Sequence, residues 1–320
     1  MKRLRSGPKE PPVLEKKTRS LQEIDEPVHF IVSDSSPADP VIARNQPRLL
    51  GLAGADLQLL RKKQHRLRAS ASLTVENSLE FGWQAIRALA STLIFAQHEA
   101  GSAICIDPRG WILTCAHCFG ETSYEWKAGR RKWLLYYNGL AVQVECRAWD
   151  ERRDLALAKI IRIETSEKHS SPVRPVFTFV PVAQTLKTSA HILCIGQPGA
   201  DDLESAVPRQ TAYNLIEISQ GRLCGMVSGA DPEDNSDIGT LKHNAWTYWG
   251  HSGAPLLRRS DGALLGLHSS WDDTTAMRHG VPLVAIQSFL KTHLPSELVD
   301  LTAESCRDEN REIITIDCSD

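Results

Sequence analysis

No apolar run in this 320-residue chain comes near the roughly 18 to 20 residues that cross a bilayer. The longest mainly apolar stretches, Ala88 to Ala96 and Leu283 to Leu290, fall well short, which excludes a transmembrane reading. The basic N-terminus also lacks the apolar core and small-residue cleavage site of a secretory signal and runs instead into Pro11-Pro12. An intracellular protein of the nucleus or cytoplasm is expected. A net charge of −2 gives no global attraction to nucleic acid, and no convincing internal repeat is present. What remains, at 42% hydrophobic and 24% charged residues, is ordinary for a soluble globular chain with one large core or two modest ones.

Cysteine is not scarce. Cys105, Cys115, Cys118, Cys146, Cys194, Cys224, Cys306 and Cys318 are read as reduced thiols, because a chain of this size without a signal is not a small disulfide scaffold. Charge is unevenly spread. Residues 1–20 hold seven Lys/Arg against two Glu, 296–320 hold eight Asp/Glu against two Arg, and Arg61 to Arg68 forms a second basic block. The basic blocks read by default as solvated runs, with nuclear import or weak nucleic-acid contact as the functional alternatives.

Residues 1–77 are expected to be a mostly disordered basic, Pro/Ser-rich tail, with a short helix at 55–67 able to act as a docking arm. From about Ser78, short Val-, Ile-, Leu- and Trp-rich segments alternate with turn signals, the pattern of an all-β domain. Ser102 to Ile106 and Trp111 to Thr114 flank the turn Asp107-Pro108-Arg109-Gly110. Further strands are expected at Lys132–Tyr137, Ala141–Ala148, Leu155–Ile163, His191–Ile195, Asn214–Gln220, Arg222–Ser228, Ala254–Leu257 and Ala263–His268, with a closing helix at 284–292. The tail at 296–320 is acidic. The count suits two barrels, the first over about 78–175 and the second over about 176–282.

The chemistry gathers at three short motifs. Gly250-His251-Ser252-Gly253-Ala254-Pro255 places a serine between glycines ahead of an apolar strand, Thr114-Cys115-Ala116-His117-Cys118 offers a base, and Arg153-Asp154-Leu155-Ala156-Leu157 a carboxylate. A serine hydroxyl is a weak nucleophile until a base takes its proton, and the base needs a partner that fixes its tautomer. His117, Asp154 and Ser252 can fill those roles in that order, with Asp150 competing for the carboxylate role. An α/β-hydrolase elbow would need its acid and histidine after the serine and a helix following it, whereas a strand-turn-strand pattern follows here. Cys115, His117 and Cys118 are zinc-type ligands, but no second Cys or His pair stands at structural-site spacing, so neither a metal nor another cofactor is expected.

Together these motifs, with Gly101 to Ile106, Gly110 to Thr114, Ile195-Gly196-Gln197-Pro198-Gly199 and Gly225-Met226-Val227-Ser228 in the same order, resemble a trypsin-like serine protease of the two-barrel fold, closest in pattern to the HtrA/Deg type. The resemblance spans roughly 85–293 and implies an all-β fold of two six-stranded Greek-key barrels with a short C-terminal helix. It implies that Ser252 attacks a peptide carbonyl, His117 moves the proton, Asp154 holds the imidazole, and the amides of Gly250 and Ser252 form the oxyanion hole. Protein or peptide substrates follow, and no membrane partner. Oligomeric state is left open.

The chain departs from that family at His251, where Asn or Asp is usual, and at Ala254, where Gly is common. Cys118 lacks the cysteine to which it is usually bridged, and no PDZ-sized segment follows. Trp246 stands where trypsins carry an acid, so cleavage after Lys or Arg is not expected. Thr247 and His268 resemble the pair of glutamyl endopeptidases and viral 3C-type proteases, which implies Glu or Gln at P1, with a protonated imidazole favouring the acid. The departures also leave a second reading, a silent trypsin-like module that binds peptide or chromatin partners.

Overall fold

The computed structural model describes residues 30–31, 41–44, 51–52, 54–97, 101–165, 175–203 and 205–294. The first 29 residues, the acidic tail, Cys306 and Cys318 lie outside them. In chain order the described residues form β1 (Phe30–Ile31), β2 (Val41–Arg44), α1 (Gly54–Leu79), α2 (Trp83–Ser91), β3 (Thr92–Phe95), β4 (Ser102–Asp107) and β5 (Trp111–Thr114). After a 3-10 turn at Ala116–Cys118 come α3 (Ser123–Ala128), β6 (Arg131–Tyr136), β7 (Ala141–Asp150) and β8 (Leu155–Thr165). The second half holds β9 (His191–Gly196), β10 (Glu217–Met226), β11 (Leu241–His243), β12 (Pro255–Arg258), β13 (Leu264–Trp271), β14 (Arg278–Pro282) and α4 (Leu283–His293).

Two closed antiparallel barrels result, as the all-β expectation requires. In the first, β6, β3, β4, β5, β8 and β7 pair in turn, and β7 closes on β8. Closure works because β7 and β8 are long, so each pairs with different neighbours along its length. The last residues of β7 accept β1, and the last residues of β8 accept β2 in parallel. The second barrel runs β10, β11, β14, β13, β12, β9 and closes. Asn214–Gln220 and Arg222–Ser228, expected as two strands, are largely one: β10 continues through Gly221, which pairs with Ile192.

The helix expected at 55–67 is α1, which extends to Leu79 and lies against barrel one. Its buried face is Leu60, Lys63, Gln64 and Leu67, one stripe at helical spacing. Burying Lys63 and Gln64 requires partners. Lys63 Nζ donates to the Phe95 carbonyl at 2.7 Å and lies 3.4 Å from Gln197 Oε1, while Gln64 Nε2 donates to the Gly139 carbonyl at 2.9 Å and to Glu164 at 2.6 Å. Arg61 pairs with Glu164 at 2.6 Å. A disordered-tail reading therefore does not hold for residues 54–77, and the Arg61 to Arg68 block is partly folded against the first barrel. Helix α2 buries Ala85, Ala88 and Leu89, and β4, buried along its whole length, has no solvent face to alternate toward.

Candidate active site

Asp154 sits at the end of a tight turn between β7 and β8. Its amide donates to the Glu151 carbonyl at 3.2 Å, and its φ of 51° is in the left-handed region, where a short acidic side chain is tolerated better than a branched one. Asp150 stabilises that turn by accepting from the Arg153 amide at 3.0 Å and pairing with the Arg153 guanidinium at 2.7 Å. Of the two carboxylates, Asp150 is occupied by Arg153, and Asp154 faces His117. Arg153 also pairs with Glu233, which carries the anchor across to barrel two.

His117 lies in the 3-10 turn that follows β5. Its Nδ1 is 2.9 Å from Asp154 Oδ1, and its amide donates to the same oxygen at 3.2 Å. The other carboxylate oxygen accepts the Ser269 hydroxyl at 2.6 Å. No motif marks Ser269 in the sequence, where it simply follows His268. Burial lowers the His117 pKa, but the charge and hydrogen bond of Asp154 outweigh it, and the net shift is upward.

Ser252 is held by backbone contacts from barrel one. Its carbonyl accepts the Ser102 amide at 2.8 Å, and Ser102 Oγ in turn accepts the Gln197 amide at 2.9 Å. Gly253 has φ 79°, and a Cβ there would stand 2.1 Å from the Ser102 carbonyl oxygen, so no other residue fits. The Ser252 hydroxyl donates to the Ser269 carbonyl at 3.3 Å in this conformation, and Ser252 and His117 line the same cavity.

Before the serine, the His251 amide donates to the Tyr248 carbonyl at 3.1 Å, closing a turn whose third residue, Gly250, has φ 95°. A positive φ at that position is the type II arrangement, which favours glycine. The Trp249 carbonyl accepts the Gly199 amide. In a trans peptide the carbonyl and the next N–H point opposite ways, so tying Trp249 to Gly199 turns the Gly250 N–H away from Gly199. Among the described residues, neither the Gly250 nor the Ser252 amide has a hydrogen-bond partner. His251 folds inward: its Nδ1 is 3.1 Å from the Tyr248 amide and 3.0 Å from the Tyr248 carbonyl, its ring is edge-on to Trp246, and burial takes its pKa down to about 4. The unusual histidine thus braces the turn instead of facing the cleft.

Thr247 and His268 are both buried. His268 Nδ1 is 3.0 Å from His243 Nε2, and burial, followed by the neighbouring His243 and His251, holds its pKa well below 6.5. His268 is therefore neutral near pH 7 and does not itself supply the protonated imidazole that would favour an acidic P1. Trp246 is half-buried, packed between Tyr213 and His251. A cavity of about 630 Å³, not lined by Thr247, His268 or Trp246, is bounded by His117, Cys118, Gly250 and Ser252, with aromatic walls from Phe95, Phe119 and Tyr124.

Cys115, His117 and Asp154 each bring a ligand-type atom within 4.8 Å of the others. A metal would have to break the His117–Asp154 bond and deprotonate a Cys115 thiol whose pKa burial drives well above 9. The set fits proton handling better. The six described cysteines are free thiols, and no helix among the described residues is long and apolar enough to cross a membrane.

Comparison with known proteins covers the same ground. A serine endoprotease from Yersinia pestis is similar in structure, with 18% identity, a TM-score of 0.47, and coverage of 68% of this chain and 67% of that one. No curated protein sequence matches. Residues 101–267, which contain His117, Asp154 and Ser252, match the trypsin-like peptidase domain. On that match the chain belongs to the trypsin-like peptidase family, the serine endopeptidases of the two-barrel fold.

Proposed function

We propose that this chain is an intracellular endopeptidase in which Ser252 attacks the carbonyl carbon of a peptide bond while His117 takes the hydroxyl proton. Asp154 holds the imidazole in the tautomer with its proton on Nδ1, leaving Nε2 free to accept, and stabilises the imidazolium that forms. The oxyanion enters between the unpartnered amides of Gly250 and Ser252. His117 then returns the proton to the leaving amine, and water repeats the sequence on the acyl-enzyme. The observation that carries this reading is the bonded set of Ser269, Asp154 and His117 beside a serine whose flanking amides are unspent.

The acyl side of the substrate runs along Thr247 and His268, with Glu or Gln at P1, and the leaving side enters the cavity walled by Phe95, Phe119 and Tyr124. The six free thiols support a reducing compartment. Labelling by a fluorophosphonate probe, with Ser252→Ala as the control, tests the nucleophile, and peptide-library cleavage reads P1. One observation favours the silent-module reading: the Ser252 hydroxyl is bonded to the Ser269 carbonyl and not to His117. Absence of probe labelling on folded wild-type protein, together with peptide binding that Ser252→Ala leaves unaltered, would establish that alternative.

A further inference from the structure

The geometry points to Arg278 as the residue that selects a carboxylate, Glu or Asp, over Gln at P1; this rests on the substrate path proposed along Thr247 and His268. Arg278 opens β14, paired with His243 of β11 on one side and with Trp271 of β13 on the other. Directly opposed residues share a face of the sheet, so Arg278 projects on the side of the His243–His268 contact. The residue opposite His268 is Gly280, which puts no side chain between His268 and Arg278. The guanidinium carbon stands 5.8 Å from the centre of the Trp271 ring.

Among the described residues Arg278 has no anionic partner. Its Nε is buried without a hydrogen bond, and among the described residues no carboxylate pairs with it. Other partly buried arginines are answered: Arg61 by Glu164, Arg147 by Glu145, Arg153 by Asp150 and Glu233. A cation withdrawn from water without a counter-ion is unfavourable, and an arriving carboxylate relieves it. The imidazoles nearby do not share the charge. Burial, then the charge of Arg278, takes His243 down to about 3, and His251 and His268 are lowered as well. Of Arg278 and these three imidazoles, Arg278 carries the positive charge.

Recognition follows from donor and acceptor chemistry. Guanidinium carries only donors, and its planar fork matches both oxygens of a carboxylate, whereas the Gln amide offers one acceptor and turns an NH2 toward the same donors. Thr247 and a neutral His268 accommodate either side chain, so the discrimination falls to Arg278.

The test uses full-length Ser252→Ala protein and fluorescent peptides identical except for Glu, Gln or Leu at P1, with affinities read by polarisation. The Glu peptide is expected to bind about ten- to a hundredfold more tightly than the Gln peptide, the scale of one charged hydrogen-bonded pair. Adding Arg278→Gln should bring the two within about threefold, weakening the Glu peptide far more than the Leu peptide, while Arg278→Lys should keep part of the preference. Equal binding of Glu and Gln peptides by the Ser252→Ala protein, or an unchanged ratio after Arg278→Gln in protein that melts cooperatively, overturns the assignment. Fluorophosphonate labelling of wild-type protein reads catalysis separately: its absence would count against the endopeptidase reading, while the binding ratio still decides the role of Arg278.

Discussion

Lowering the pH from 7 to 5 is expected to destabilise barrel two through its buried histidines. His243 and His251 are held at about 3 and about 4, and His268 well below 6.5, with burial the largest cause in each case. In the unfolded chain all three return to about 6.5. Below that value the unfolded state binds more protons than the folded one, so stability falls as pH falls. Each pH unit below 6.5 is worth about 1.4 kcal/mol per histidine, or about 2 kcal/mol each for His243 and His251 at pH 5. His243 and His251 together lose about 4 kcal/mol, and His268 adds to the loss in the same direction, against a usual total of about 5–15 kcal/mol. His117 acts in the opposite sense: its folded pKa is raised, so its contribution is complete below 6.5 and fades as pH rises through the folded value. It cannot produce an acid-side loss. Urea unfolding followed by tryptophan fluorescence at pH 7, 6 and 5 gives the slope, and His243→Gln should reduce it. A flat profile from pH 7 to 5, or a slope that His243→Gln leaves unchanged, would refute the reasoning.

Other outcomes follow from the site. Ser269→Ala removes the donor to Asp154 Oδ2 and should lower kcat/KM about ten- to a hundredfold with little change in melting temperature; an unaltered rate would show that Asp154 needs no second anchor. Gly199→Pro deletes the amide that holds the Trp249 carbonyl, freeing the Gly250 peptide, and should lower kcat by up to about a hundredfold while KM stays near wild type. The kcat/KM profile should lose activity below a pKa above 6.5, because His117 must be neutral to accept the Ser252 proton and its pKa is raised. An acid limb below 6.5 would contradict that. Lys63→Met leaves the Phe95 carbonyl short of its buried donor and should reduce unfolding free energy by about 1–3 kcal/mol, measured by urea denaturation.

The two-barrel class and the chemistry-bearing motifs were legible because strand patterning and turn residues are local. Trp111–Thr114 was found with its observed bounds, and the hairpin turn at Asp107 to Gly110 is closed as its residues imply. The elements that escaped have mixed composition. Strand β14 is Arg278-His279-Gly280-Val281-Pro282, which no β pattern reveals, and β11 is three residues long. Helix α1 was underestimated because two of its four stripe positions are Lys63 and Gln64, polar residues whose burial depends on carbonyls distant in sequence. Ser269 and Arg278 escaped for the same reason. A serine beside a histidine and an arginine at a strand end acquire meaning only from what lies across the barrel.

The grip of Lys63 on both Phe95 and Gln197 redraws the boundary of the working unit. Phe95 is a wall of the cavity beside His117, and Gln197 belongs to the segment that carries Gly199, so one ammonium group ties together the two banks of the cleft. The family match begins at residue 101, but a protein started there would present Leu113, Ile104 and their neighbours without Leu60 and Leu67, and would leave the Gly139 carbonyl and Glu164 stripped of their helical donors. Helix α1 is the outer splint of this enzyme, and a chain that keeps it reaches back at least to Gly54.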